Sequence, residues 1–258
     1  MNTWMLAAVI FAVAALMTMT GRGGGNFFVL VLALAGTGMH LAATTGQFIL
    51  IVSSFTASLL FGKNRVTDWK LVGFIGTMTL VSAFLGGFFS DIVNDRLMKF
   101  VFAAGITLAS LMMLRPARKK PRNSCHSAFK IRSGSTSYGV NPLLTVPAVL
   151  ATGFLSGMVG ISGGSFLVPL MVLAIDVPMH TAVGTSTTLV TVTAGAGFLG
   201  HLSTGHFDCR LALPLALAGL IGALLGARLT LKIAPAKLKL LFAVTSLLAA
   251  VIMLATAF

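Results

Sequence analysis

Two glycine-rich phrases carry the residue types and spacing best suited to binding chemistry. They are Gly21-Arg22-Gly23-Gly24-Gly25-Asn26-Phe27-Phe28-Val29 and Gly160-Ile161-Ser162-Gly163-Gly164-Ser165-Phe166-Leu167-Val168. A glycine-rich bend leading into a helix presents backbone N–H groups at the positive end of the helix dipole, with no side chains to hold an anion away. Two such ends converging make an anion site from Arg22, Gly23, Gly24, Gly25 and Asn26 on one side and Ser162, Gly163, Gly164 and Ser165 on the other. Asn26 and Ser165 are expected to cap those helices or to donate further hydrogen bonds. The plainer reading of the same glycines is close helix packing, which small residues commonly provide in membranes. Recurrence of the break at matched positions favours the binding site.

Arg22 has only Ile161 as its counterpart. At membrane depth its charge costs on the order of 3 kcal/mol on insertion scales and calls for a partner. A bound anion is one partner; a lipid headgroup reached by snorkelling is the other.

A second matched pair of polar clusters is Thr44-Thr45-Gly46-Gln47 and Gly184-Thr185-Ser186-Thr187-Thr188. Hydroxyl and amide groups donate hydrogen bonds to an oxyanion without adding fixed charge, so Thr44, Thr45, Gln47, Thr185 and Ser186 join the candidate site. Because each cluster is expected to open a long apolar helix, helix capping explains them equally well. His40 and His180 occupy equivalent places and His201 lies near a helix end. All three are candidates for proton transfer or gating, with an interfacial structural hydrogen bond as the competing role.

Other chemistry is thinly represented. The acids are Asp68, Asp91, Asp95, Asp176 and Asp208, all at or near segment ends, with no Glu anywhere. The carboxylate relay of many proton-coupled transporters is therefore missing. No metal-protease motif, phosphate-binding loop or paired-carboxylate arrangement occurs, so neither enzyme activity, a metal nor a cofactor is expected. Cys125 and Cys209 are too few and too far apart for a disulfide framework and read as incidental.

These residues must be positioned by membrane helices. The chain of 258 residues is 57% hydrophobic and only 9% charged, well below the charged quarter of a soluble domain. Apolar runs of spanning length recur near 4–20, 41–61, 71–90, 97–114, 143–160, 181–200, 211–231 and 238–257. The first run lacks a basic flank and a small-residue cleavage site and is read as a retained helix. After each glycine phrase only a short run follows, near 27–36 and 166–175, expected to be a half-helix or re-entrant segment. Gly153-x-x-x-Gly157, Ser82-x-x-x-Gly86 and Gly222-x-x-x-Gly226 read as packing faces.

The phrases belong to a longer repeat. Their offset is 139 (160 − 21), and after one inserted residue it becomes 140 (208 − 68), aligning Met39-His40 with Met179-His180, Thr45 with Thr185 and Leu85-Gly86 with Leu225-Gly226. The expected organisation is a first membrane repeat at 1–114, a basic linker at 115–141 and a second membrane repeat at 142–258. Charge bias reverses between matched loops: Lys63, Arg65 and Lys70 face only Arg210, whereas Arg228, Lys232, Lys237 and Lys239 face an acid-balanced counterpart. Reversal favours halves of opposite topology. The expected fold is thus all-α, a polytopic membrane protein of two repeats with inverted topology and about 8 to 10 membrane segments, including two short broken or re-entrant helices. Arg115, Arg118, Lys119, Lys120, Arg122, Lys130 and Arg132 place the linker in the cytoplasm, flexible and near anionic headgroups, and put both termini outside. The net charge of +13 flanks apolar segments, so nucleic acid is not the expected partner; lipid and a small anion are. Oligomeric state is open, a homodimer included.

The chain resembles the TauE/SafE family of sulfite exporters over nearly its whole length. The resemblance rests on Gly160-Ile161-Ser162-Gly163-Gly164-Ser165-Phe166-Leu167-Val168-Pro169, Ala182-Val183-Gly184-Thr185-Ser186 and Gly205-His206-Phe207-Asp208, with a first-half echo at Gly21, Gly23, Gly24, Gly25, Ala42, Thr45 and Asp68-Trp69. It implies an inner-membrane carrier of sulfite or small organosulfonates, often outward. Arg22 stands where an apolar residue is usual, Leu30 replaces the proline matched by Pro169, and Gly46-Gln47 replaces a Ser-rich continuation. An importer of a related sulfur oxyanion and a non-transporting membrane scaffold or sensor acting through the basic linker are the alternatives.

Overall fold

The protein is described by a computed structural model covering residues 3–89, 104, 107, 111, 129–133, 136–159, 163–202 and 207–255. The described helices are α1 (Thr3–Met19), α2 (Gly25–Leu34), α3 (Met39–Lys63), α4 (Trp69–Phe88), α5 (Pro142–Val159), α6 (Gly164–Ala174), α7 (Met179–Leu202), α8 (Cys209–Thr230) and α9 (Pro235–Ala255). Between α4 and α5 lies an antiparallel hairpin, β1 (Phe129–Ser133) and β2 (Thr136–Val140). The segment expected near 97–114 falls almost wholly outside the described residues.

Four described helices are long and apolar enough to cross a membrane: His40–Lys63, Trp69–Phe88, Met179–Leu202 and Cys209–Thr230. Together with the shorter apolar helices they make an α-helical polytopic membrane protein. Helix α8 shows why its sequence suits that setting. Leu213, Leu217, Ile221 and Leu225 recur every four residues and stay exposed, whereas Gly219, Gly222 and Gly226 are buried on another face. In hydrocarbon an exposed leucine stripe carries no penalty, and association comes from close backbone packing at small residues.

Packing is reciprocal between the halves. Helix α1 lies along α8 as α5 lies along α4, while α3 packs on α8, α7 packs on α4, and α3 and α7 pack on each other at the centre. Gly226 packs on the Ala15 carbonyl, and its repeat equivalent Gly86 packs on the Phe154 carbonyl. Register gives direction. Along α3 and α7, Gln47 meets Gly197, Ser54 meets Thr191 and Ser58 meets Thr188, so these repeat-equivalent helices run antiparallel. Asp68 and Asp208 are equivalent N-caps, each accepting from the N–H groups two and three residues on, at 3.0 and 3.2 Å and at 2.9 and 3.4 Å. Caps of this kind contribute about 1 kcal/mol each.

The linker requires a correction. Part of it was expected to be flexible, yet 129–133 pairs with 136–140, and Tyr138 is buried in a cluster with Leu71, Ile75 and Val149. Among the described residues the fold is helical apart from this hairpin, which the apolar positions Ile131, Tyr138 and Val140 could not reveal against Ser- and Lys-rich surroundings. Residues 115–128 lie outside the described residues.

Candidate functional site

Both glycine phrases break the chain between helices. The first does so through consecutive left-handed turns, with φ of +74° at Gly21, +65° at Gly23 and +100° at Gly24, a region that favours glycine. Helices α2 and α6 that follow contain 10 and 11 residues, about half the hydrocarbon thickness. Their N-caps are Gly24 and Gly163, and neither has a side-chain cap hydrogen bond. The capping expected of Ser165 is corrected, because it is the second residue inside α6, past the N-cap Gly163; the Asn26 side chain lies outside the described residues. Ser162 lies outside the described residues.

The two breaks touch one another. A Cβ on Gly164 would fall 2.5 Å from the Gly21 carbonyl oxygen and 2.8 Å from the Arg22 Cα, and Gly21 lies as close to the Val183 backbone. Ser186 Oγ donates to the Gly21 carbonyl at 2.8 Å. At Gly21 and Gly164 the glycines thus serve close approach. Gly163 differs, because a Cβ there would meet only ordinary contacts, 3.5 Å from Ser156 Oγ and 3.6 Å from Thr193 Oγ1. The start of α6 is flanked there by two hydroxyls and the Leu167 side chain.

The threonine clusters do not open their helices. Helix α3 starts at Met39 and α7 at Met179, so Thr44, Thr45, Gln47, Thr185 and Ser186 lie one to two turns inside, and capping is ruled out by position. Thr44 Oγ1 donates back to the His40 carbonyl at 2.9 Å, while Thr185 Oγ1 accepts from the Asp68 N–H at 2.9 Å. Gln47 is fully buried; its Nε2 donates to the Gly157 carbonyl at 3.3 Å, and its Oε1 has no partner. Thr45 Oγ1 is likewise buried and unpartnered. Buried polar atoms without partners are uncommon enough to mark a place for water or ligand.

The histidines separate. His201 Nε2 donates to the same Gly157 carbonyl at 3.0 Å, joining Gln47 around one acceptor. His180 Nε2 donates to the Ile233 carbonyl at 3.0 Å, tying α7 to the α8–α9 turn. His40 is half-buried one residue into α3, where its carbonyl accepts from Thr44 Oγ1.

Arg22 is buried at 1% exposure. Its guanidinium is directed to α9, donating from Nη1 to Ser246 Oγ and from Nη2 to Thr245 Oγ1, each at 2.5 Å, and from Nε to Thr20 Oγ1 at 3.2 Å. Nη2 also reaches Met17 Sδ, and the Phe242 ring centroid lies 4.7 Å from Cζ. Its partners are hydroxyls, sulfur and a ring; no carboxylate joins them among the described residues. Sequence reasoning missed these α9 hydroxyls, as well as Ser156, Thr193 and the Ser54 and Ser58 contacts to α7. The signal for the last two was available: Gln47, Ser54 and Ser58 fall on one helical face.

A helical body with two short helices starting at glycine breaks and a buried polar layer is that of a polytopic membrane protein. The chain belongs to the sulfite exporter TauE/SafE family, which it matches over residues 6–253. It is 27% identical to "Probable membrane transporter protein YunE" of Bacillus subtilis, over 83% of this chain and 84% of that one. A "Probable membrane transporter protein" of Xylella fastidiosa is 33% identical over 83% of this chain and 80% of its own. One from Methanocaldococcus jannaschii is 24% identical over 92% and 90%.

Proposed function

We propose that the protein carries a small sulfur oxyanion, sulfite or an organosulfonate, outward across the bacterial inner membrane by alternating access. The anion sits where the two glycine breaks meet, and the observation that carries this reading is their backbone contact at Gly21, Arg22 and Gly164, joined by Ser186; α3 adds two buried, unpartnered polar atoms, Thr45 Oγ1 and Gln47 Oε1. Thr45 offers a donor to the anion. Gln47 Oε1 suits the O–H of a protonated oxyanion or of an accompanying water. Arg22 supplies positive charge from the adjoining layer.

The halves act as inverted repeats, contributing 8 to 10 segments, with the linker cytoplasmic and both termini outside. Antiparallel passage of α3 and α7 and the reciprocal α1–α8 and α4–α5 pairings support that arrangement. Rocking of one half on the other exposes the site alternately. A negative cytoplasm drives an anion outward by about 2.3 kcal/mol per charge per 100 mV, so no carboxylate relay is needed.

Gly163→Ala tests the site, since the added methyl fits sterically yet lies against the hydroxyls of Ser156 and Thr193 at the second break. In detergent, saturating sulfite raises the thermal midpoint of the wild type by about 5 °C or more, and Gly163→Ala loses most of that shift. Absence of any shift with sulfite, sulfate, sulfoacetate or thiosulfate would contradict the reading.

A further inference from the structure

The two ends of the α3–α7 crossing occupy repeat-equivalent positions but have opposite chemistry. At one end Ser58 on α3, Thr188 on α7 and Thr67 between α3 and α4 are 7%, 7% and 9% exposed. Ser58 Oγ and Thr188 Oγ1 share a hydrogen bond of 2.8 Å, and Thr188 Oγ1 lies 3.3 Å from the Gly184 carbonyl oxygen. A Cβ on Gly184 would approach the Thr67 N–H at 3.4 Å, and Thr67 Oγ1 has no partner.

At the other end, the offset of 140 turns Ser58 into Phe198, Thr67 into Phe207 and Thr188 into Phe48. These three rings contact one another, with centroids 5.7 Å apart for Phe48–Phe198, 5.4 Å for Phe48–Phe207 and 5.2 Å for Phe198–Phe207. A hydroxyl trio has been exchanged for a phenyl trio at all three positions. Thr45, one turn before Phe48 on the same face of α3, keeps a buried hydroxyl without a partner, whereas its equivalent Thr185 accepts the Asp68 N–H.

Hydroxyls exchange hydrogen bonds with water and donate to anions; phenyl rings do neither, and a constriction lined by them excludes water. Offset and edge-on contacts hold such rings together without any polar group. Because the antiparallel crossing puts the two trios at opposite ends of the polar layer, their difference is a difference between its two faces.

We propose that Phe48, Phe198 and Phe207 form an aromatic gate sealing one end of the pathway, while Ser58, Thr67 and Thr188 keep the opposite end open to hydrogen bonding with a small oxyanion. The proposal rests on the transport reading above. Opening requires the three rings to separate.

The test uses the full chain in proteoliposomes, with Cys125→Ser and Cys209→Ser and one reporter, Thr45→Cys. Modification by an anionic, membrane-impermeant methanethiosulfonate is slow with the rings intact and at least about tenfold faster in Phe198→Ser, Phe207→Thr. Phe198→Leu alone retains the slow rate. The mirror reporter Thr185→Cys reacts at the same rate in all three. An unchanged Thr45→Cys rate in a variant with a wild-type thermal midpoint overturns the gate, as does equal acceleration of both reporters. If the double variant does not fold, Phe198→Ala gives the same comparison. Gated modification in a protein without anion flux overturns the transport reading and leaves the aromatic seal standing.

Discussion

Arg22→Met reduces anion flux by about 100-fold while the thermal midpoint stays level or rises. The flux term follows from losing a charged group that acts on an anion in a low-dielectric layer, about 2 to 3 kcal/mol. The stability term has the opposite sign. A buried cation without a carboxylate among the described residues carries a desolvation cost that hydroxyls offset only in part. Its removal leaves no orphan donor, because Thr20, Thr245 and Ser246 each already donate to a helix carbonyl, Met17, Leu241 and Phe242 respectively. Methionine also keeps a favourable sulfur contact against Phe242. Arg22→Lys retains charge but not the forked geometry and recovers part of the flux. Flux assays paired with thermal unfolding in the same preparation check both signs; full flux in Arg22→Met would make the charge purely structural.

Gly157→Ala is the most damaging single methyl expected in the described helices. A Cβ there would fall inside the Ala83 carbonyl of α4, backbone against backbone, so α5 must move away. Overpacking of this kind costs about 1 to 3 kcal/mol or more. The same displacement moves the Gly157 carbonyl, the shared acceptor of Gln47 and His201, so binding fails along with stability. Gly195→Ala is the control, because no atom lies within 4 Å of its new Cβ. It gains helix propensity instead. Thermal midpoint and sulfite-induced stabilisation separate the two variants, and equal midpoints would contradict the packing account.

Much of this architecture is legible from residue spacing. The glycine phrases mark the two breaks, and the short apolar runs after them give the half-helices, because backbone geometry and segment length are local properties. Helix starts were less legible. Thr44-Thr45 and Thr185-Ser186 look like caps, yet Gly38 and Pro178 precede the true first turns; Thr44 and Thr187 donate to carbonyls one turn back, while Thr185 and Ser186 bond to Asp68 and Gly21 outside their helix. The environment of Arg22 was not legible at all, since Thr245 and Ser246 are more than two hundred residues away and meet it only through tertiary packing. The exchange of three hydroxyls for three rings was present in the repeat throughout, but only an alignment read position by position exposes it.

Efflux of sulfite from proteoliposomes, followed at two imposed membrane potentials, tests the central claim most directly. Carriage of an anion at the meeting of the two glycine breaks predicts efflux from the wild type that accelerates when the interior is made negative, and efflux at least about tenfold slower in Gly163→Ala. Sulfite efflux no faster than from protein-free vesicles, or efflux that Gly163→Ala leaves untouched, would contradict it.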